Sequence, residues 1–513
     1  VAQIYGVGLI TTRLAGVPFE LGVFLGLAGI LVCSFLGGMR AVTWTQVAQY
    51  IILIIAYMIP VVWLSVKQTS FPVPQLIYGQ QLEKVTAKEA ELIKDPKELE
   101  VRAIFKARAD ALSEKLKDVP AALAADKAAA EKKVADLKAA NAPADEIAAA
   151  EKALAAVPKD AEAAKKAWTA QRTGATNRSN QLANMPRHAQ QFAGDPAGDE
   201  KARTAFDTSR RNFLALIFCL MVGTAALPHI LMRFYTTPSV KQARESVTWS
   251  LFFIFLLYFT APALAVLVKY EVFTVLVGTP FDKLPAWILA WAKVDATLLS
   301  VVDINKDGIL QLAEMTIGGD IIVLATPEIG GLPYVISGMV AAGGMAAALS
   351  TADGLLLTIA NALSHDLYYK MIDPNAPASR RVLVSKILLV VVALAAAYVA
   401  AQKPADILFL VGAAFSFAAA AFFPPLVLGI FWKRATKAGA CVGMILGLGI
   451  TVYYMVMTQP WLRGVFNVTS PVELWYGIQP ISAGIFGVPL GFAAIILVSL
   501  VTPAPRKDIQ DLV

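Results

Sequence analysis

Between Tyr334 and Lys370 the chain runs for about thirty apolar or small residues with no Lys, Arg or Glu, and Asp353 stands near the middle. A helix of that length crosses a bilayer with some tilt. A carboxylate at that depth costs on the order of 3 kcal/mol on insertion scales, so it must face protein or water, and an intramembrane acid marks a functional site by default. Other apolar runs recur at 18–37, 42–66, 211–232, 246–275, 382–401, 405–431, 438–457 and 481–502, and residues 1–12 read as the end of an earlier span stopped at Arg13. Segments this long predict helices rather than a barrel, hence an all-α, multi-pass membrane protein. A hydrophobic share of 57% and a mean hydropathy of +0.60 exclude a soluble enzyme.

Helix periodicity sharpens the reading of 334–370. Ala347, Ser350 and Thr351 share one face, and Asp353 lies one turn beyond Ser350. Two hydroxyls and one backbone carbonyl on one face make half of an oxygen cage for a hard monovalent cation, the rest coming from another helix. The same spacing also suits hydroxyls that merely donate back to carbonyls of the preceding turn. Gly343, Gly344 and the neighbouring alanines allow close helix contact on either reading.

Three strings, met in order, carry a resemblance: LGGMRAVTWTQVAQY at 36–50, MAAALSTADGLLLTIANALSHDLYYK at 345–370 and PPLVLGIFWKRATKAGACVGMILG at 424–447. Together they resemble the sodium/solute symporter family, which includes proline, sugar and acetate carriers. With GTAALPHILMRFYTTPSVKQAR at 223–244, the likeness is nearest to a bacterial acetate-permease-like branch. The resemblance implies an inverted-repeat transporter bundle, sodium bound by the Ala347 carbonyl, Ser350 and Thr351, and an earlier helix supplying further carbonyls. It also implies that three helices and most of a fourth precede residue 1, so that the chain begins within a span. Gln46 stands where the family commonly carries an acid, which weakens any coupling role there.

From 67 to 210 the composition changes to Ala, Lys, Glu and Asp. Phe105, Ala109, Leu112 and Leu116 keep a heptad-like spacing, Val134 and Leu137 extend a weaker stripe, and breaks are expected near Pro120 and Pro143. This predicts two or three amphipathic helices forming a soluble hairpin inserted between spans, with 171–204 loosely ordered. The expected organisation is therefore a first bundle part at 1–66, the insertion at 67–210, a second bundle part at 211–505 and a tail at 506–513.

Within 211–232, Gly223 and Pro228 predict a place where the helix unwinds, with Thr224 at the break; a simple proline kink is the other reading. The resemblance makes Gly223 and Thr224 substrate-contacting positions. Between the spans, DINKDGILQLAE places Asp303, Asn305, Asp307, Gly308 and Glu314 at positions one, three, five, six and twelve of an EF-hand loop. Ca2+ needs six or seven oxygens, here supplied by those side chains, the Ile309 carbonyl and Gln311 through water. A single such loop without a paired partner points to structural bracing, and an acidic turn that binds nothing has the same residues.

The net charge of +7 collects in loops. Arg40, the Arg233–Arg244 loop, Arg380 and Arg381, Lys433–Lys437, and Arg506 with Lys507 all fall on one side if the spans alternate, and that side is cytoplasmic; Arg13, Lys403 and Arg463 fall opposite. Such placement predicts a lipid bilayer rather than a nucleic acid as partner, and puts the insertion and the 303–314 loop outside the cytoplasm; the bacterial branch resembled implies that the membrane is a bacterial inner membrane. Three cysteines, Cys33, Cys219 and Cys441, sit in apolar runs and make no disulfide framework. No hydrolytic or nucleophilic constellation stands out. The function expected is sodium-coupled symport of a small organic solute, a short monocarboxylate such as acetate by resemblance. A proton-coupled carrier using Asp353 and a non-transporting membrane sensor are the alternatives. Oligomeric state carries no sequence signal.

Overall fold

The structure is a computed structural model that describes residues 1–510 apart from 141, 233, 235 and 236; at 33, 34, 36–41 and 509 side chains are not described. Among the described residues, eight helices are long and apolar enough to cross a membrane. Two shorter ones precede them: α1 (Ala2–Ala15) and α2 (Phe19–Val32) meet at 108°, around Gly16 in the left-handed region (φ 64°). They form a corner rather than the end of one straight span followed by the next. The backbone is helical without a break over Phe19–Thr69, so the turn that separate spans at 18–37 and 42–66 require, at Gly37, Gly38 and Arg40, does not form; the side chain of Arg40 and residue Arg233 lie outside what is described.

The first long span, α3 (Val42–Thr69), leads into the insertion, which among the described residues holds five α-helices before Gln181 where two or three were expected. These are α4 (Pro74–Lys94), α5 (Pro96–Lys115), α6 (Val119–Ala139), α7 (Ala144–Ala155) and α8 (Ala161–Ser179). Caps set the extra boundaries. Asp95 accepts from the Lys97 and Glu98 amides, Asp118 from Ala121 and Asp160 from Ala163, each supplying an acceptor to helix-start donors that have no partner within the helix. Residues 171–179, expected to be loose, form the end of α8, whose Ala175 packs with Val101, Phe105 and Ala109 of α5.

Four spans follow before the last three: α9 (Glu200–Ala226), α10 (Val240–Glu271), α13 (Tyr334–Asn361) and α14 (Ala378–Ala401). Between α10 and α13 lie α11 (Ala286–Val294), a two-stranded antiparallel ribbon of β1 (Leu299–Val301) and β2 (Met315–Ile317), and α12 (Gly319–Ile329). That ribbon, absent from an all-helical expectation, brackets the 303–314 loop. The chain then forms α15 (Ile407–Phe431), α16 (Lys437–Thr458) and α17 (Gly484–Val501).

The spans pack as two groups. In one, α13 lies along α3 and against α1 and α14; in the other, α15 contacts α9, α16 and α17. Small residues set the distances, as lipid gives apolar side chains no drive to associate and close backbone approach must supply the attraction. A Cβ added at Gly343 would fall 2.5 Å from Ala56 Cβ, and one at Gly447 2.5 Å from the Ala420 carbonyl oxygen.

The insertion does not stand apart. Ile77 and Leu92 of α4 share one apolar core with Leu64, Leu267, Ile288, Leu299 and Ile321 from the spans and the 286–329 stretch. Lys269 on α10 pairs with Glu89 at 2.6 Å, and Lys67 with Glu271; both carboxylates are almost fully buried. Glu98 of α5 accepts from the Ala313 amide at 3.0 Å, and Arg178 of α8 donates to Thr316. Arg13 and Lys403 meet this same end of the bundle, through Glu328 and Asp295.

Candidate functional site

Helix α13 starts after Pro333 and runs through an Ala, Gly and Leu sequence in which nothing interrupts the i→i−4 ladder. It delivers Ala347, Ser350 and Thr351 half-buried and Asp353 fully buried. Ser350 Oγ donates to the Ala347 carbonyl at 2.9 Å, and Thr351 Oγ1 donates to the same oxygen at 3.4 Å. Convergence and back-bonding, set as alternatives by spacing, are thus one arrangement: three oxygens lie together, with both hydroxyl protons turned onto the carbonyl. A hydroxyl keeps two lone pairs while it donates, so rotation about χ1 or the O–H bond exposes oxygen to a cation with no backbone movement.

Helix α3 covers this level of α13. Gln46 Nε2 donates to the Ser350 carbonyl, and Leu53 and Ala56 pack at Gly343 farther along the antiparallel pair. Gln46, Gln49, Leu53 and Ala56 fall at i, i+3, i+7 and i+10, one stripe of α3. Gln49 is buried, and its Oε1 has no hydrogen-bond donor among the described residues. Sequence reasoning weighed Gln46 only as a departure from an acid and passed over Gln49. The available signal was two amides one turn apart in a span, where each polar group needs a partner.

The expected break near Thr224 is displaced. Helix α9 stays regular through Ala226, and the backbone leaves the helix at Leu227 (ψ 117°), before Pro228. Proline disfavours helical geometry in the residue preceding it, so the break falls one residue upstream of the ring rather than at the glycine. Gly223 instead makes a close contact: an added Cβ would meet the Phe415 carbonyl oxygen of α15 at 2.5 Å. Thr224 is exposed and donates to the Leu220 carbonyl at 2.7 Å.

The 303–314 loop closes through its own amides. Asp303 Oδ2 accepts from Gly308 N at 3.0 Å, Asn305 Oδ1 from Asp307 N at 3.2 Å, and Asp307 Oδ1 from Ile309 N at 2.9 Å. The turn needs Gly308 at φ 75° and carries Lys306 at φ 60°. Glu314 is fully buried, accepting from Ile304 N at 2.6 Å and Gln311 N at 3.0 Å, and burial pushes its carboxyl above the ordinary range. Asp307 is held low: desolvation, its largest single influence, raises the carboxyl, and hydrogen bonds from the Ile309 amide, Asn305 and Gln311 together with the charge of Lys97 outweigh it. Asp303 Oδ1 is buried with no donor among the described residues. Even so, no group of three or more Asp, Glu, His or Cys side chains among the described residues is gathered closely enough to hold a metal ion. The expected calcium cage is therefore not assembled in this arrangement, because the carboxylates cap backbone N–H groups instead.

Comparison with known proteins bears on this geometry. The model of the sodium:solute symporter family matches residues 1–104 and 321–447. A protein described as an uncharacterized symporter from Cupriavidus necator is 52% identical over 517 residues, which cover 100% of this chain and 74% of that protein. A monocarboxylic acid transporter from Corynebacterium glutamicum is 29% identical over 289 residues, covering 56% of this chain and 46% of that protein. The two matched segments contain Gln46, Gln49, Ala347, Ser350, Thr351 and Asp353; Gly223, Thr224 and the 303–314 loop lie outside them.

Proposed function

The chain belongs to the sodium:solute symporter family, and on that premise we propose that it is a sodium-coupled carrier of a short monocarboxylate such as acetate. The observation that carries the sodium assignment is the placement of Ser350 Oγ and Thr351 Oγ1 at 2.9 and 3.4 Å from the Ala347 carbonyl oxygen, on a span covered by α3. Sodium takes oxygen ligands, and these three supply part of its shell once the hydroxyl protons turn away; the remaining oxygens come from a neighbouring helix. Gln46 steadies the Ser350 carbonyl at the same level. Monocarboxylate is favoured by the relative from Corynebacterium glutamicum, whose description names that class.

Coupling follows from state preference. Sodium and solute each drive the change from outward to inward access only as far as they bind one state better than the other, so joint binding to one state ties their fluxes. The bundle sits in a bacterial inner membrane in this reading, with the insertion and the 286–329 stretch on the extracytoplasmic side. There the 303–314 loop takes a weak structural Ca2+, its carboxylates exchanging loop amides for the ion at the millimolar levels found outside cells; Asp303 Oδ1, buried without a donor, is the atom this favours.

Uptake of labelled acetate, proline and glucose into vesicles, with and without a sodium gradient, tests the proposal. Acetate should accumulate only with sodium, and Ser350→Ala or Thr351→Val should raise the half-saturating sodium concentration about tenfold, the worth of one lost ligand at about 1.4 kcal/mol. Equal uptake without sodium sinks the coupling. The fully buried Asp353 then favours a second reading, a proton-coupled carrier, in which Asp353→Asn abolishes sodium-independent uptake.

A further inference from the structure

A second polar cluster lies at the Tyr334 end of α13, away from the hydroxyls. It surrounds a cavity of about 30 Å³ walled by Ile10, Arg13, Leu324, Glu328, Ser337 and Ala341. Arg13 at the end of α1 contacts Glu328 of α12 through Nη2 and Oε1 at 3.0 Å, with side chains 24% and 14% exposed. The indole Nε1 of Trp291 donates to the other carboxylate oxygen at 2.7 Å, and the Arg13 guanidinium lies 5.3 Å from the Trp291 ring centroid. Ser337 Oγ is buried with no hydrogen-bond partner among the described residues.

We propose that this cluster is the receiving site for the solute's carboxylate on the outer side, where Arg13 releases Glu328 and takes the incoming carboxylate while Ser337 donates its hydroxyl to the same group. The proposal rests on the carrier reading above and deepens it.

A guanidinium presents a planar fork that matches a carboxylate with two parallel bonds, yet its contact with Glu328 runs through one nitrogen and one oxygen. The exchange leaves Glu328 still bonded to Trp291, so Arg13 is the member of the pair that changes partner. A cavity of about 30 Å³ has room for one or two waters, too little for a carboxylate with its carbon chain, so the pair must part to admit one.

Below the cavity the way is shut. A Cβ on Gly344 would touch Ile10 of α1 at 3.0 Å and Leu324 of α12 at 3.1 Å. Ser337, Ala341, Gly344, Ala348 and Thr351 nevertheless form one stripe of α13, so the cavity and the hydroxyl cluster are two points about 21 Å apart on one face. Withdrawal of α12, which carries both Glu328 and Leu324, would open the cavity and the way below it together.

The test uses the full-length protein in vesicles, with Cys33, Cys219 and Cys441 replaced by Ser and a reporter thiol introduced by Gly338→Cys. Gly338 lines the cavity, and an added Cβ there has open space. A charged, membrane-impermeant thiosulfonate added outside should label the reporter about fivefold faster after Glu328→Gln, as reactivity follows the population of the opened form. Acetate should slow labelling and uncharged acetamide should not; Arg13→Gln should remove the protection by acetate. Arg13→Lys keeps the charge without the fork and should retain only part of it, which serves if the Gln variant does not fold. Labelling unchanged by Glu328→Gln, or protection by acetate that survives loss of Arg13, overturns the proposal. Protection without sodium-driven uptake would keep this site and remove the carrier reading; uptake without protection would do the reverse.

Discussion

At Ser350 and Thr351 one geometry serves both the helix and the sodium role proposed above. Donating to the Ala347 carbonyl satisfies both hydroxyls inside a span, where an unmet polar group costs several kcal/mol, and leaves their oxygens grouped for a cation. Helix spacing alone located this group, whereas Gln46, which bonds the Ser350 carbonyl from 304 positions away, could not be paired with it by any local pattern. Away from the candidate spans, Glu98 carries a pH prediction. Burial pushes its carboxyl up to about 7, against amide bonds from Ala313 and Leu312 that pull it down. The folded value lies above the ordinary 4.5, so between about 4.5 and 7 the folded joint binds a proton that the unfolded chain has released. Stability from this group is therefore greatest at the acid end and falls as pH rises through that window. Hydrogen exchange at the Ala313 amide should be slower at about pH 5 than at about pH 8 after correction for intrinsic rates, and Glu98→Gln should remove most of the difference.

Elements differ in how much they reveal of themselves. The long spans are legible because about twenty apolar residues in a row have one stable solution in a bilayer. The insertion's helices are less so: Ala-rich runs with interleaved charges carry a weak apolar stripe, and the signals that would have divided them were the Asp caps at 95, 118 and 160. Packing between spans rests on glycines that no helix requires by itself. Gly447 of α16 faces the backbone of both α15 and α17, and a Cβ there would lie 2.5 Å from the Ala420 oxygen and 3.0 Å from the Gly487 oxygen. Backbone cannot step aside as a side chain can, so Gly447→Val should cost about 1–3 kcal/mol or more. A thermal midpoint in detergent lowered by several degrees would show it; an unchanged midpoint would mean that α16 and α17 do not pack as described.

At the scale of the molecule, the insertion, the 286–329 stretch and the spans are packed together. They share an apolar core, the buried Lys269–Glu89 pair, and contacts from Glu98 and Arg178 onto the ribbon and loop. Calcium, as proposed for the 303–314 loop, acts on this joint, because Ala313 inside the loop packs with Val101 and Phe105 of the insertion. Millimolar Ca2+ should slow proteolysis within 67–210 severalfold, a chelator should restore it, and Glu314→Gln should make the rate indifferent to calcium. Indifference in the unaltered protein would leave the loop a capped turn. The sequence by itself determined the number and type of most spans, the face that carries Ala347, Ser350 and Thr351, and the change of character at 67, because these are written in runs and periods along the chain. Only the tertiary structure decided that α9 breaks at Leu227, that Gln46 reaches Ser350, that the EF-type acids cap amides, and that Arg13 meets Glu328 315 positions away. Those facts depend on which surfaces meet, and a meeting between distant positions leaves no period for one sequence to display.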